Sequence, residues 1–214
     1  MGSLGVLVFI LASGSGSPQS STQPEPSAVP WVPSAPSQTA PLAPLRGTDR
    51  LDWVVKNTIG PASLWTGVFH AGLDTALNHP KEYPQSFVGY AQRYGLRMAG
   101  VATSNVMEAG VGAIWGEDPR YHPTEHESAG GRFKHALKMT ALAENDNGSV
   151  RPAYARFIAI AGSNVLSNTW RPDSETTAGA TVSRIGLGFA YRLTANLWGE
   201  FWPDIKRHTF LKNH

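Results

Sequence analysis

The alternation of polar and apolar positions predicts long helices that carry narrow polar rows. In the last of these helices, Arg184, Gly188, Arg192, Asn196 and Glu200 stand four residues apart, and the positions between them are mostly apolar. Residues four apart lie on one face of an α-helix. A surface helix normally has a broad polar face opposite its apolar stripe, so the usual proportions are inverted here.

Three earlier helices repeat this pattern. Because side chains eight residues apart are separated by about 12 Å along a helix, charged groups of one row need partners on another helix. We expect at least one of Arg184 and Arg192 to be buried and bonded to an acid or a backbone carbonyl of a different helix. The acids on matching rows are Asp74 and Glu108. Six charged residues on these rows are expected to have a structural role: Arg97, Glu108, Arg156, Arg184, Arg192 and Glu200.

Two environments would produce such helices. In one, a compact bundle pairs its polar rows internally. In the other, the apolar faces meet lipid, as the many small residues of 100–113 would permit by letting helices approach closely. From Arg46 onward no charge-free run reaches the roughly 18 residues of a membrane span. We therefore expect a water-exposed or membrane-peripheral bundle, with membrane insertion as the alternative.

Prolines and glycines mark where the predicted elements begin and end. Proline suits the first position of a helix, and glycine or proline follows its last. We predict a short helix over 48–55 and five main helices over 61–78, 84–115, 132–143, 152–170 and 173–202. No strand alternation is convincing, although a hairpin around Asn147 and Gly148 is an alternative. The predicted fold is all-α: a single bundle of about five helices.

Related phrases recur at three predicted helix ends. The stretch WGEDPRYHP at 115–123 contains both acids and histidine and raises the question of an active site. A proline cannot continue a helix, and an aspartate accepts bonds from nearby backbone N–H groups. Recurrence therefore favours architecture over catalysis. The predicted helix stops are Trp115, Asp118, Pro119, Trp170, Pro172, Trp202, Pro203 and Asp204.

The first 45 residues differ in composition from the rest of the chain. They contain no Lys or Arg, one acid, Glu25, and eight of the 16 prolines. Residues 1–16, with an apolar run over 4–12, resemble a signal peptide that lacks a basic start. Residues 17–45 are expected to form a disordered Pro/Ser/Ala-rich spacer, and residues 46–214 a helical domain. The run of 4–12 is too short to span a bilayer.

Charge and cysteine content restrict the function classes. The helical domain carries 18 basic and 15 acidic side chains, an excess too small for a nucleic-acid partner. The chain has no cysteine, which excludes disulfides, thiolate chemistry and a lipid-modified cysteine.

Two clusters are candidates for chemistry. His122 and His126 stand four apart, a spacing that can hold zinc on a helix, but Pro123 between them favours a loop. Asp74 with His70 and His79 offers an acid/base cluster, although a satisfied polar row explains these residues as well. No nucleophile elbow is present. We therefore expect no metal and no cofactor.

Several stretches resemble an uncharacterised family of exported bacterial proteins. They are YGLRMAGVATSNVMEA at 94–109, WGEDPRY at 115–121, FKHALKMT at 133–140, YARF at 154–157, SNVLSNTWRP at 163–172 and EFWPDIKR at 200–207. The resemblance implies an envelope location and a mostly helical body, and it implies no substrate.

The expected function is a non-enzymatic structural or interaction module of the envelope, exported to the periplasm or the outer membrane. Its expected partner is an envelope protein or a membrane surface, and a homo-oligomer remains open. The alternative is a hydrolase or metal-dependent enzyme that uses the His/Asp cluster.

Overall fold

The computed structural model describes residues 45–124 and 128–210. The signal-like segment, nearly all of the predicted spacer and His126 lie outside these residues. The prediction of an all-α bundle is confirmed. Within the described ranges the helices are α1 (Gly47–Ile59), α2 (Pro61–Ala76), α3 (Phe87–Trp115), α4 (Ala129–Ala141), α5 (Tyr154–Leu166) and α6 (Ala178–Phe210), with 3₁₀ turns at Ser167–Thr169 and Asp173–Glu175.

Local chemistry fixes the ends of the first three helices. Gly60 separates α1 from α2, and a Cβ there would lie 2.1 Å from the carbonyl oxygen of Lys56. Pro61 then begins α2. The hydroxyl of Ser86 caps the first turn of α3, and Gly116, with φ of 70°, ends it in the left-handed conformation that glycine tolerates. Helix α3 has 29 residues and is therefore about 43 Å long.

A short hairpin forms at the place where the sequence offered one as an alternative. Strand β1 (Leu142–Glu144) pairs antiparallel with β2 (Val150–Pro152). The turn between them contains Gly148 at a φ of 76°, and the side-chain oxygen of Asn147 accepts bonds from Ser149. The alternative hairpin is therefore the one that forms, because an Asn-Gly turn outweighs the weak alternation of the flanking residues.

The predicted stop at Trp202, Pro203 and Asp204 is wrong, since α6 continues through Pro203 to Phe210. Proline removes one helical hydrogen bond, but it does not oblige the chain to leave the helix when tertiary contacts hold it. Here the carboxylate of Asp204 pairs with Arg132 of α4. The stop at Trp170 is displaced, because α5 ends at Leu166 and a 3₁₀ turn follows.

The bundle buries charge and exposes large apolar side chains. The buried charged residues are Arg50, Arg93, Glu108, Glu117, Asp118, Arg156, Glu175 and Glu200. Among the described residues, seven of the ten buried apolar residues are alanines. Trp65 and Phe69 on α2 are each 73% exposed. This distribution is the reverse of an ordinary water-facing domain, in which large apolar side chains fill the core.

Candidate functional site

A cavity of about 410 Å³ lies between α2, α3, α5 and α6. Its size falls within the range of about 300–1,000 Å³ that is typical of ligand pockets. Part of the polar row of each of these helices faces it, including Arg97 of α3 and Arg184 of α6. Its charged and titratable lining residues are His70, Asp74, His79, Arg93, Arg97, Arg171, Glu175, Arg184 and Tyr191.

The two candidate acid/base residues both lie on this cavity. His70 and Asp74 are one turn apart on α2, and Nε2 of His70 shares a hydrogen bond with the hydroxyl of Tyr191 on α6. Their rings meet edge to face at 5.1 Å between centroids. Burial, and then the charge of Arg97, lowers the pKa of His70. Both effects disfavour the charged imidazolium.

Asp74 experiences the opposite shift. Burial raises its pKa, while His70, His79 and Arg93 partly oppose that rise. Desolvation disfavours a charged carboxylate when no donor bonds directly to it. Burial thus disfavours the charged forms of both neighbours, the carboxylate of Asp74 and the imidazolium of His70.

Arg97 is the arginine of the cavity with the least compensation. Its Nη1 donates to the carbonyl oxygen of Ser63 over a long 3.3 Å, and within the described part of the chain no carboxylate pairs with it. Burial lowers the pKa of this guanidinium. The side chain keeps donors that are available to a molecule in the cavity.

Glu175 collects the other basic groups at one end of the cavity. Its carboxylate pairs with Arg171, lies 4.0 Å from Nη1 of Arg184, and lies 3.3 Å from Nδ1 of His79. Arg184 also donates to the carbonyl of Glu175 and, at 2.6 Å, to Oδ1 of Asn168. Arg184 is therefore bonded to elements outside α6, and Glu175 is already shared among several cations.

Arg93 serves the loop that closes α2 against α3. Its guanidinium donates to the carbonyl oxygens of His79, Pro80, Tyr83 and Pro84 at distances between 2.8 and 3.0 Å. All three of its nitrogens are engaged. Its role is to fix the loop after α2, although its charge still contributes to the cavity.

A second polar row meets away from the cavity. Oε1 of Glu108 on α3 accepts from Nε of Arg156 at 3.1 Å and from Nη2 of Arg192 at 2.8 Å. Burial, and then the neighbouring charge of Arg192, lowers the pKa of Arg156 to about 10. Arg156 also donates to three carbonyls near the end of α4. This cluster joins α3, α5 and α6.

A third cluster surrounds Glu200, whose side chain is fully buried. Its carboxylate accepts from the hydroxyl of Tyr121 at 2.5 Å and bonds Nδ1 of His135 at 2.8 Å. Arg132 approaches it at 3.4 Å. Burial raises the pKa of Tyr121, and its bond to Glu200 raises it further. Tyr121 therefore stays protonated and acts as a donor.

The stretch WGEDPRYHP forms a strap between α3 and α4, in which Glu117, Asp118 and Pro119 are buried. Oδ1 of Asp118 accepts from the backbone N–H of Arg120 at 2.8 Å, and the two side chains pair at 2.7 Å. Glu117 accepts from the backbone N–H of Ala155 at 2.9 Å, at the start of α5. The carbonyl oxygen of Pro119 accepts from Nη2 of Arg192 at 2.7 Å. These contacts tie helix ends together and leave no carboxylate free for substrate.

The predicted metal candidates are not brought together within the described residues. Nδ1 of His122 lies 3.4 Å from Glu144, and His126 lies outside those residues. In the ranges 45–124 and 128–210, no group of three His, Asp or Glu side chains could hold a metal ion. In the same ranges, no helix is both long and apolar enough to cross a membrane.

Sequence reasoning missed three residues of the cavity: Arg171, Glu175 and Tyr191. Arg171 and Glu175 stand four apart with opposite charges, a pairing signal that the assignment of Pro172 as a helix stop concealed. Tyr191 gives no signal, because an aromatic residue beside Arg192 is indistinguishable from the apolar face.

No protein-family model, curated protein or solved structure matches this chain.

Proposed function

We propose that the protein is a non-enzymatic, exported module of the bacterial envelope that binds peripherally to a membrane surface. One observation carries this proposal: charged side chains pair inside the bundle while large apolar side chains cover its outside. An extended apolar exterior is unfavourable in water and marks a site of contact with lipid or protein. The N-terminal signal-like pattern supports export.

The outer face of α2 is the strongest contact surface. The only ionisable side chains of α2, those of His70 and Asp74, line the cavity and not this outer face. The large apolar side chains exposed on this face are Leu64, Trp65, Val68, Phe69 and Leu73. A helix with bulky aromatic and aliphatic residues on one face lies well in the interface of a bilayer. Burying each such side chain contributes about 1.5–3 kcal/mol, so a few of them suffice for stable attachment.

Neighbouring residues extend this surface. Leu51, Val55 and Ile59 on α1 stand four apart and are all more than half exposed. A single residue, Gly60, joins α1 to α2, so the two apolar stretches are adjacent along the chain. The contact area thus combines two helices, and its breadth favours a membrane surface over a narrow peptide groove.

The test is flotation of the purified protein with vesicles of neutral phosphatidylcholine. We expect the wild type to float and the double variant Trp65→Ser/Phe69→Ser to lose at least about tenfold in partitioning. The matched control is Phe133→Ser/Leu137→Ser on α4, whose side chains are 49% and 50% exposed and lie beside Lys134 and Lys138. Wild-type protein that stays unbound, or equal losses in both doubles, would refute the proposal.

A hydrolase or metal-dependent enzyme built on His70 and Asp74 is the competing function. Its support is the placement of both side chains on one cavity. The hydrogen bond between His70 and Tyr191 gives the histidine a structural role that requires no catalysis. Turnover of an ester or phosphoester that is abolished by His70→Gln, or stoichiometric zinc in the purified protein, would favour the enzyme.

A further inference from the structure

The cavity has more positive than negative charge. Four guanidiniums line it, those of Arg93, Arg97, Arg171 and Arg184, and the only carboxylates among its lining residues within 45–124 and 128–210 are those of Asp74 and Glu175. A buried charge is costly unless it is paired. A bound anion would therefore neutralise this excess of two positive charges.

The existing bonds show which cation is available. Arg93 is saturated by backbone carbonyls, and Arg171 and Arg184 share Glu175. Arg97 makes two long contacts, both through Nη1, to the carbonyl of Ser63 at 3.3 Å and to Sδ of Met98 at 4.0 Å, and it has no carboxylate partner among the described residues. Its fork of five N–H donors suits a phosphate or a carboxylate.

Neutral polar groups continue from Arg97 along the same wall. Ser104 stands seven residues after Arg97 on α3, and Asn164 faces the cavity from α5. Leu96, Val101 and Leu187 supply apolar lining nearby. The cavity thus offers a charged end for an anionic group and an apolar wall for the body that carries it.

We propose that this cavity binds a phosphate group, with Arg97 as its direct ligand and Arg171 and Arg184 supplying further positive potential. A phosphate monoester carries about −1.5 to −2 charges at pH 7, which matches the uncompensated charge of the lining better than a single carboxylate does. Arginine binds phosphate through parallel N–H donors. The inference is independent of membrane attachment by the outer face of α2.

The phosphate has two conceivable carriers, a soluble molecule or the headgroup of a lipid. The first arm measures inorganic phosphate binding to the full chain in non-ionic detergent by calorimetry. The second arm compares vesicles that contain phosphatidic acid with vesicles that contain phosphatidylglycerol at equal negative charge. Saturable phosphate binding without a preference for phosphatidic acid identifies a soluble ligand, and a preference for phosphatidic acid identifies the lipid. Both results support the site.

Charge variants assign the binding to Arg97. Arg97→Gln is expected to weaken phosphate binding at least about tenfold, because charge-assisted hydrogen bonds are lost. Arg151→Gln makes the same chemical change at an exposed position of β2 and is expected to leave binding unchanged. Circular dichroism checks that both variants are folded.

Asp74→Asn covers the case in which Arg97→Gln fails to fold. It removes a negative charge from the cavity wall and is expected to strengthen phosphate binding several-fold. The proposal is overturned if wild-type protein shows no saturable binding of phosphate or phosphatidic acid. It is also overturned if Arg97→Gln behaves as Arg151→Gln does, or if Asp74→Asn fails to strengthen binding. None of these results bears on flotation with neutral vesicles, so the two proposals fail separately.

Discussion

Arg192 of α6 donates through Nη2 to Oε1 of Glu108 on α3, 2.8 Å away. The same oxygen accepts from Arg156 of α5, so one buried carboxylate holds two cations and three helices. Losing the carboxylate leaves two guanidiniums without their shared anion. Losing one guanidinium leaves the other pair intact.

This asymmetry predicts unequal effects of mutation. Glu108→Gln should lower the free energy of unfolding by roughly 3–5 kcal/mol, as expected when a buried pair loses one partner. Arg192→Met should cost less, about 1–3 kcal/mol, because Arg156 still neutralises Glu108. Chemical denaturation of both variants measures the difference. Two curves that overlay the wild type would show that the polar row faces water.

The environment of Glu200 predicts that the stability of the fold depends on pH. Burial alone would raise its pKa, but hydrogen bonds from Tyr121, His135, Thr124 and Arg132 outweigh burial and bring the pKa below its usual 4.5. A depressed folded-state pKa contributes stability that is present above the unfolded value and lost as pH falls through the folded value.

Glu200→Gln should therefore be less stable than wild type at pH 7, and the gap should narrow steadily below pH of about 4.5. Thermal unfolding in buffers from pH 7 to strongly acidic values measures this gap. A gap that is constant with pH would mean that the carboxylate has the same pKa in the folded and the unfolded chain, which contradicts the hydrogen bonds that lower it.

Asp118 predicts a structural effect at the strap after α3. Asp118→Ala removes the bond from the backbone N–H of Arg120 and the pair with its side chain. We expect a loss of about 0.5–2 kcal/mol, as for other backbone-capping side chains. His122→Ala is the comparison and should change stability little. Thermal unfolding of the two variants decides whether the strap is held by Asp118.

Two glycines of α6 should respond with opposite signs. A Cβ at Gly188 would lie 2.7 Å from Cγ2 of Ile160, whereas a Cβ at Gly186 meets nothing within 4 Å. Gly188→Ala should destabilise by about 1–3 kcal/mol through overpacking. Gly186→Ala should stabilise by about 0.5–1 kcal/mol through helix propensity. Equal shifts in Tm would contradict the close contact of α5 with α6.

Many helix boundaries of the fold can be predicted from prolines and glycines in the sequence. Pro61 and Gly116 mark helix ends because the restriction of proline and the left-handed conformation of glycine are local properties. Pro203 misleads for the opposite reason: the contact between Asp204 and Arg132 spans 72 residues and overrides a local preference. The Asn147-Gly148 turn forms a hairpin although its strands have only three residues each and alternate weakly.

The site was less accessible to sequence reasoning than the fold. Spacing places Arg184 and Arg192 on one face, yet it does not say that Arg192 meets Glu108 while Arg184 meets Glu175. The partner depends on how α6 packs against its neighbours. The availability of Arg97 depends on the same packing, since an unpaired cation is recognised only when every neighbouring acid has been located.

The alanine-rich interior also has a thermodynamic consequence. The heat-capacity change of unfolding grows with the apolar area newly exposed to water, and it is reduced by exposure of polar groups. Here unfolding in water releases mainly small apolar groups together with buried guanidiniums and carboxylates, because side chains such as Trp65 and Phe69 are already exposed. The heat-capacity increment should therefore fall below the usual 12–15 cal/mol/K per residue or thereabouts. The stability curve of the bundle would be shallow, and its stability would change little between cold and warm conditions.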